Sequence, residues 1–172
     1  MSFKVVLDSD GLIKLVKAEV LETMITVWTC LISRAVYEET VERGLRAAYP
    51  DATRIEQILQ THRIDARTPV VHPKAQRILK GTKVLGRGET EALHLFFAEN
   101  ADAILSDDAR LLTLLNRAGV PSLPPALAVV HLALRRELAP EKALVHLRKM
   151  KPLINPGVYR RAHEDLQAMK TL

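Results

Sequence analysis

The stretch that most constrains this chain is Phe3-Lys4-Val5-Val6-Leu7-Asp8-Ser9-Asp10. A short apolar run holding β-branched residues stops abruptly at two carboxylates. Runs of this length bounded by polar turn residues read as buried strands. The residues that follow, Gly11-Leu12-Ile13-Lys14-Leu15-Val16, carry helical spacing, with Ser9 or Asp10 as the N-cap. Asp8 and Asp10 are thereby predicted where a buried strand passes into a helix, the place at which open α/β sheets bind ligands. A plainer reading makes Asp10 a cap and Asp8 a turn residue. The two readings are separated by how many other carboxylates fall at equivalent places.

Taken in order, strands and helices alternate. Residues 11–17 and 19–28 carry apolar residues at helical spacing, and Thr29-Cys30-Leu31-Ile32-Ser33 has the make-up of a second short strand. Ser33 is placed to cap a helix over Ala35 to Ala48, which ends near Pro50. In that helix Val36, Glu39 and Thr40 share a face at i, i+3 and i+4, so Glu39 stands beside an apolar neighbour, whereas Glu38 and Glu42 suit the positive end of the helix dipole. Residues 51–60 form a short amphipathic helix. Residues 63–71 are extended, with Pro69 limiting central pairing. Pro73 to Leu79 starts another helix with proline near its first position. Gly81 and Gly86-Arg87-Gly88 break the chain. The next helix, 88–100, is apolar nearly all round from Ala92 onward and is therefore central, and its first turn carries Glu89 and Glu91.

Ala103-Ile104-Leu105-Ser106 is a compact strand followed at once by Asp107-Asp108. Ala109 to Ala118 is a helix closed by Gly119 at C′, and Val120-Pro121-Ser122-Leu123 is a last strand. After Pro124-Pro125 come three helices, 126–137, 140–151 and 157–170, rich in lysine and arginine. No long linker precedes them, so the chain is taken as one domain, 1–172, with an α/β core over 1–125 and a helical extension over 126–172. Strands alternating with helices argue for a parallel sheet of four or five strands between helical layers.

Composition narrows the classes. A formal net charge of +5 suits a polyanionic partner, while an aromatic content of 4% offers no stacking platform for single-stranded bases. Cys30 is the single cysteine, which excludes an intramolecular disulfide and points to a reducing compartment or to indifference to redox. No N-terminal signal pattern interrupts this view, no run approaches the length of a membrane span, and a cytoplasmic location is expected. The apolar helices at 11–28 and in the C-terminal third offer more apolar face than one small sheet covers, so a homodimer is expected.

Three acidic sites fall at strand ends or helix starts: Asp8/Asp10, Glu89/Glu91 and Asp107/Asp108, with Glu39 as a fourth just after a strand. At 4 Å and an effective dielectric near 20, each like-charge pair costs about 4 kcal/mol, so such a gathering calls for a compensating cation. Oxygen donors alone select hard ions, Mg²⁺ or Mn²⁺. Such an ion together with a basic surface is equipment for phosphodiester hydrolysis. Other constellations are weaker. Glu91 and His94 have the Glu-x-x-His spacing of a di-iron bundle, but the second pair is missing. The six histidines lack zinc spacing, and Gly86 to Glu91 lacks the third glycine of a dinucleotide loop. A phosphatase using Asp8 as nucleophile would fit the Asp-x-Asp after the first strand, but it lacks an accompanying Ser/Thr motif and a lysine placed for phosphate.

The motifs also carry a resemblance. Val6-Leu7-Asp8-Ser9-Asp10-Gly11-Leu12-Ile13 resembles the opening motif of PIN-domain proteins, and Val36-Tyr37-Glu38-Glu39-Thr40 their second. Gly88-Glu89-Thr90-Glu91-Ala92-Leu93 and Ile104-Leu105-Ser106-Asp107-Asp108-Ala109-Arg110 resemble the third and fourth. Order and spacing match to about residue 125, and residues 126–172 resemble the helical tail of prokaryotic relatives of toxin ribonucleases. The resemblance implies a three-layer α/β/α sandwich and a Mg²⁺- or Mn²⁺-dependent ribonuclease acting on RNA, with an antitoxin among the expected partners. It implies Asp8 and Glu39 as the first and second metal carboxylates. The third is Glu91, which fits the acidic position best, or Glu89. The fourth is Asp107 or Asp108. Asp10 departs from the family's usual small polar residue and either joins the metal shell or caps the helix. Arg87 and Arg110, nearest in sequence to the acids, would hold phosphates. A PIN-like module that binds RNA or protein without cutting is the alternative.

Overall fold

A computed structural model describes residues 2–82 and 85–170. Five parallel strands, β1 (Lys4–Leu7), β2 (Thr29–Ser33), β3 (Ala66–Arg67), β4 (Ala103–Leu105) and β5 (Ser122–Leu123), form one sheet in the order β3-β2-β1-β4-β5. β1 is central, with Leu7 opposite both Ile32 of β2 and Leu105 of β4. Side chains alternate across a strand, and the two faces of β1 feed two separate cores. Val5 and Leu7, with Cys30 and Ile32, join one apolar cluster. Val6, Leu31 and Ile104 join the other. A parallel sheet covered on both faces is what near-continuous apolar strands require.

One face is covered by α1 (Ser9–Lys17), α2 (Leu21–Val27), α5 (Pro50–Thr61), α9 (Pro125–Leu134), α10 (Pro140–Met150) and α11 (Pro156–Met169). The opposite face is covered by α6 (Pro73–Leu79), α7 (Arg87–Ala98) and α8 (Ala109–Arg117). The architecture is the expected three-layer α/β/α sandwich. Five of these helices, α5, α6, α9, α10 and α11, begin with proline, whose missing N–H would have had no partner in the first turn. α8 ends at Gly119 with φ +66°, the left-handed C′ residue expected from its sequence.

Three details differ from the sequence expectation. The helix expected over 35–48 is interrupted: α3 (Arg34–Tyr37) passes through a π turn, Glu38–Glu42, into α4 (Arg43–Arg46). The extended stretch 63–71 contributes only the two residues of β3, on the sheet edge where Pro69 costs no ladder bond. The cap of α1 is Asp8, not Ser9 or Asp10: its Oδ1 accepts from Gly11 N at 2.6 Å.

The C-terminal helices share a core with the first third of the chain. Leu132, Leu144, Leu147, Met150 and Leu166 belong to the cluster that holds Leu12, Leu15, Leu21 and Met24. Trp28 Nε1 donates to Glu137 Oε2 at 2.6 Å, and His146 Nδ1 lies 2.9 Å from the Ala18 carbonyl. Apolar residues of α1 and α2 are thus packed against those of the C-terminal helices within one chain. Residues 171 and 172 of the extension lie outside the described residues. Among the described residues no helix is long and apolar enough to cross a membrane.

Candidate functional site

The strand order reverses at β1: the chain moves to β2 and β3 on one side and to β4 and β5 on the other. Diverging connections open a crevice beyond the carboxyl ends of the two strands at such a switch point. Asp8 follows β1 there, and Ser106-Asp107-Asp108 follows β4. The Asp8 backbone N–H still donates to the Leu105 carbonyl at 3.1 Å, so Asp8 leaves the sheet in register before its side chain turns to cap α1. Gly11 is required by that close approach. A Cβ on it would stand 2.9 Å from the Leu105 carbonyl oxygen and 2.8 Å from Asp8 Oδ1.

A cavity of about 200 Å³ occupies the crevice. Five carboxylate residues line it, Asp8, Asp10, Glu39, Glu89 and Asp108, together with Ser9, Gly86, Gly88 and Arg110. Each acid is positioned by a local device. Glu39, carried by the π turn, accepts from Ser9 Oγ at 2.5 Å. Gly88 lets α7 start against it, since a Cβ there would lie 2.8 Å from Glu39 Oε2. Glu89 accepts from Gly86 N at 2.6 Å as α7 begins. Asp108 caps α8, its Oδ1 taking the N–H groups of Arg110 (2.8 Å) and Leu111 (2.9 Å).

Electrostatics divide these acids. Asp8 is 2% exposed. Burial pushes its carboxyl up to about 7, against hydrogen bonds from Ser106 and Gly11 that lower it, and the charges of Asp10 and Glu89 add to the rise. For Asp108 burial acts upward too, but the N–H groups of Leu111 and Arg110 and the Arg110 guanidinium hold its carboxyl below the usual carboxylate range. One wall of the cavity therefore carries an acid that resists ionisation, and the other an acid fixed as an anion.

Two of the acids expected at the site are held elsewhere. Glu91 Oε2 accepts from the Ala35 backbone N–H at 2.8 Å, and its Oε1 pairs with Arg87 Nε at 2.9 Å. It therefore ties α7 to the start of α3, and Glu89 takes the place on the cavity wall that its neighbour was expected to fill. Asp107 Oδ2 pairs with Lys14 Nζ at 2.5 Å, and Asp108 lines the cavity instead. Arg87, expected to hold phosphate, is engaged by Glu38 (2.6 Å) as well as Glu91. Arg110 is on the cavity wall as expected, its side chain 64% exposed and 3.5 Å from Asp108 Oδ2.

Sequence reasoning passed over Lys14. Its ammonium lies between Asp107 and Asp10, the latter at 2.7 Å. Although burial acts to lower its pKa, the two carboxylates raise it above the ordinary lysine value. The i, i+4 spacing of Asp10 and Lys14 was the available signal.

The family model that matches this chain describes a PIN domain and covers residues 4–167, from the first residue of β1 into α11. The chain belongs to the PIN-domain family. No curated protein matches it. The PIN domain is a nuclease-type fold, and PIN domains generally use divalent metals. The donors on the cavity wall fit such an ion in chemistry: they are carboxylate oxygens, and burial against like charges leaves Asp8 short of a cation. In this PIN domain one oxygen each of Asp8, Glu39, Glu89 and Asp108 accepts from an N–H or hydroxyl group on the wall, and Asp10 is paired with the Lys14 ammonium. Among the described residues no three histidine, cysteine, aspartate or glutamate side chains gather closely enough to hold an ion.

Proposed function

We propose that this PIN domain is a Mg²⁺- or Mn²⁺-dependent endoribonuclease of the kind found as the toxin in toxin–antitoxin pairs, acting at the cavity between β1 and β4. The observation that carries the reading is the convergence of five carboxylate residues on one switch-point cavity, one of them buried with its carboxyl raised to about 7. Asp8, Glu39, Glu89 and Asp108 would hold the ion, with Asp10 at its margin. When bound, a divalent ion acidifies water and offsets the negative charge that develops on phosphoryl oxygens.

The remaining tasks belong to the chain's own side chains. Asp8 exchanges its proton near neutrality, so it becomes a full anion when a cation replaces that proton. The hydroxyls of Ser9 and Ser106 hold Glu39 and Asp8 in place. Arg110, exposed beside the acids, draws an RNA phosphate to the cavity and orients it. Phosphate contacts of this kind position a strand without reading its sequence, and they weaken as salt rises. The net charge of +5 assists encounter with RNA.

The deciding assay is cleavage of a mixed RNA pool with Mg²⁺ or Mn²⁺, with and without EDTA, by wild type and Asp8→Asn. Cleavage is expected only for wild type with metal. Arg110→Ala is expected to raise KM severalfold with a smaller change in kcat. Cleavage surviving both EDTA and Asp8→Asn would refute the proposal. A second reading, a PIN module that grips RNA or protein without cutting, is favoured by the absence of a closed three-carboxylate group among the described residues. Tight RNA binding without cleavage under any metal would select it.

A further inference from the structure

The strand-end acids do not all face the same fate. Lys14 sits one turn after Asp10 on α1, and its Nζ is 2.7 Å from Asp10 Oδ2 and 2.5 Å from Asp107 Oδ2. It thus straps the β1–α1 junction to the β4–α8 junction, across the switch-point crevice and beside the cavity. The Lys14–Asp107 half of the strap is shielded, the two side chains being 16% and 13% exposed, while Asp10 at the other end is 47% exposed. The two carboxylates it neutralises flank the cavity acids in sequence, Asp10 two residues after Asp8 and Asp107 immediately before Asp108. An ion bridging Asp10 and Asp107 would have to take the ammonium's place.

The geometry points to Lys14 as a built-in cation that stands where a second metal ion would otherwise bind, so that this PIN domain holds one divalent ion per chain. The inference rests on the reading of the cavity as a divalent-ion site, and it sharpens that reading. It assigns Asp107 and Asp10 to the lysine, and Asp8, Glu39, Glu89 and Asp108 to the ion. Lys14 is a positioning residue, acting through the two carboxylates it holds and through the charge it places at the rim. A fixed ammonium needs no uptake from solution, and it keeps Asp107 from joining the ion's shell.

The test is Mn²⁺ stoichiometry on the full chain, measured by equilibrium dialysis with the metal counted by atomic emission, alongside electron paramagnetic resonance of the bound Mn²⁺. Wild type is expected to bind one Mn²⁺ with the spectrum of an isolated ion. Lys14→Met is expected to take up a second Mn²⁺ at least tenfold more tightly than wild type does, with the broadened signal of a coupled pair, whereas Lys14→Arg stays at one. Asp107→Asn guards against misfolding of the lysine variants: its Mn²⁺ Kd is expected within threefold of wild type, and Asp8→Asn is expected to weaken binding more than tenfold. Two ions in wild type, one ion in a folded Lys14→Met, or a tenfold loss in Asp107→Asn would overturn the inference and leave the metal reading intact. No Mn²⁺ bound by wild type would overturn both.

Discussion

At the scale of single residues, Asp8 joins fold and chemistry. A carboxyl ordinarily near 3.8 that is pushed up to about 7 keeps its proton in the folded chain while the unfolded chain releases it. Folding therefore carries an extra proton across this window, and stability falls as pH rises from about 4 to about 7, in total by roughly 4 kcal/mol at most. In EDTA, the urea midpoint of wild type is expected to drop between pH 5 and pH 8. Asp8→Asn still accepts from Gly11 N but has no proton to lose, so its midpoint is expected to stay nearly level and to exceed that of wild type at pH 8. Equal slopes for the two proteins would mean that Asp8 is not the group that resists ionisation. Asp8 was legible in the sequence because it stands where a strand ends and a helix begins, the pair Asp107/Asp108 because it follows a strand at once, and Glu39 because it shares a face with Val36. The choices between Glu89 and Glu91, and between Asp107 and Asp108, were not legible. They are made by Ala35 N and Lys14, groups far off in the chain, together with Arg87 one turn before Glu91; the i, i+4 spacing of Arg87 and Glu91 was readable, but the long-range partners were not.

At the scale of elements, several acids on the wall also terminate or begin helices, so a substitution there has two consequences to separate. Asp108 caps α8 through two backbone N–H groups and also lines the cavity. Asparagine and aspartate are comparable caps, whereas alanine lacks the acceptor and costs about 1 kcal/mol. Asp108→Asn is therefore expected to keep the stability of the metal-free protein within about 0.5 kcal/mol, while Asp108→Ala loses about 1 kcal/mol. Both are expected to lose the rise in melting temperature that Mn²⁺ gives wild type. Thermal unfolding with EDTA and with Mn²⁺ checks both halves. Strands and helix starts were readable from apolar runs, caps and prolines. The π turn at Glu38–Glu42 was not, because a helix that widens by one residue keeps the composition of an α-helix. The sequence reading nonetheless put Glu39 on an inward face: Val36 and Thr40, its neighbours on that face, are both buried.

At the scale of the whole molecule, the C-terminal helices decide whether the α/β portion stands alone. The sequence showed their amphipathic pattern but not the surface they cover. In the folded chain they are spent on α1 and α2. α9 buries residues on nearly every side, and Leu132, Leu144, Leu147, Met150 and Leu166 share one cluster with Leu12, Leu15, Leu21 and Met24. Burial of a large aliphatic side chain stabilises by about 1.5–3 kcal/mol, so loss of those five alone removes on the order of 10 kcal/mol. That is comparable to the 5–15 kcal/mol by which a typical native protein is stable at all. A chain ending at residue 125 is therefore expected to lose its cooperative thermal transition and to bind a hydrophobic dye, whereas the full chain melts in one step. If 1–125 instead unfolds cooperatively with its Mn²⁺ response intact, the helices are an accessory to a self-sufficient α/β unit.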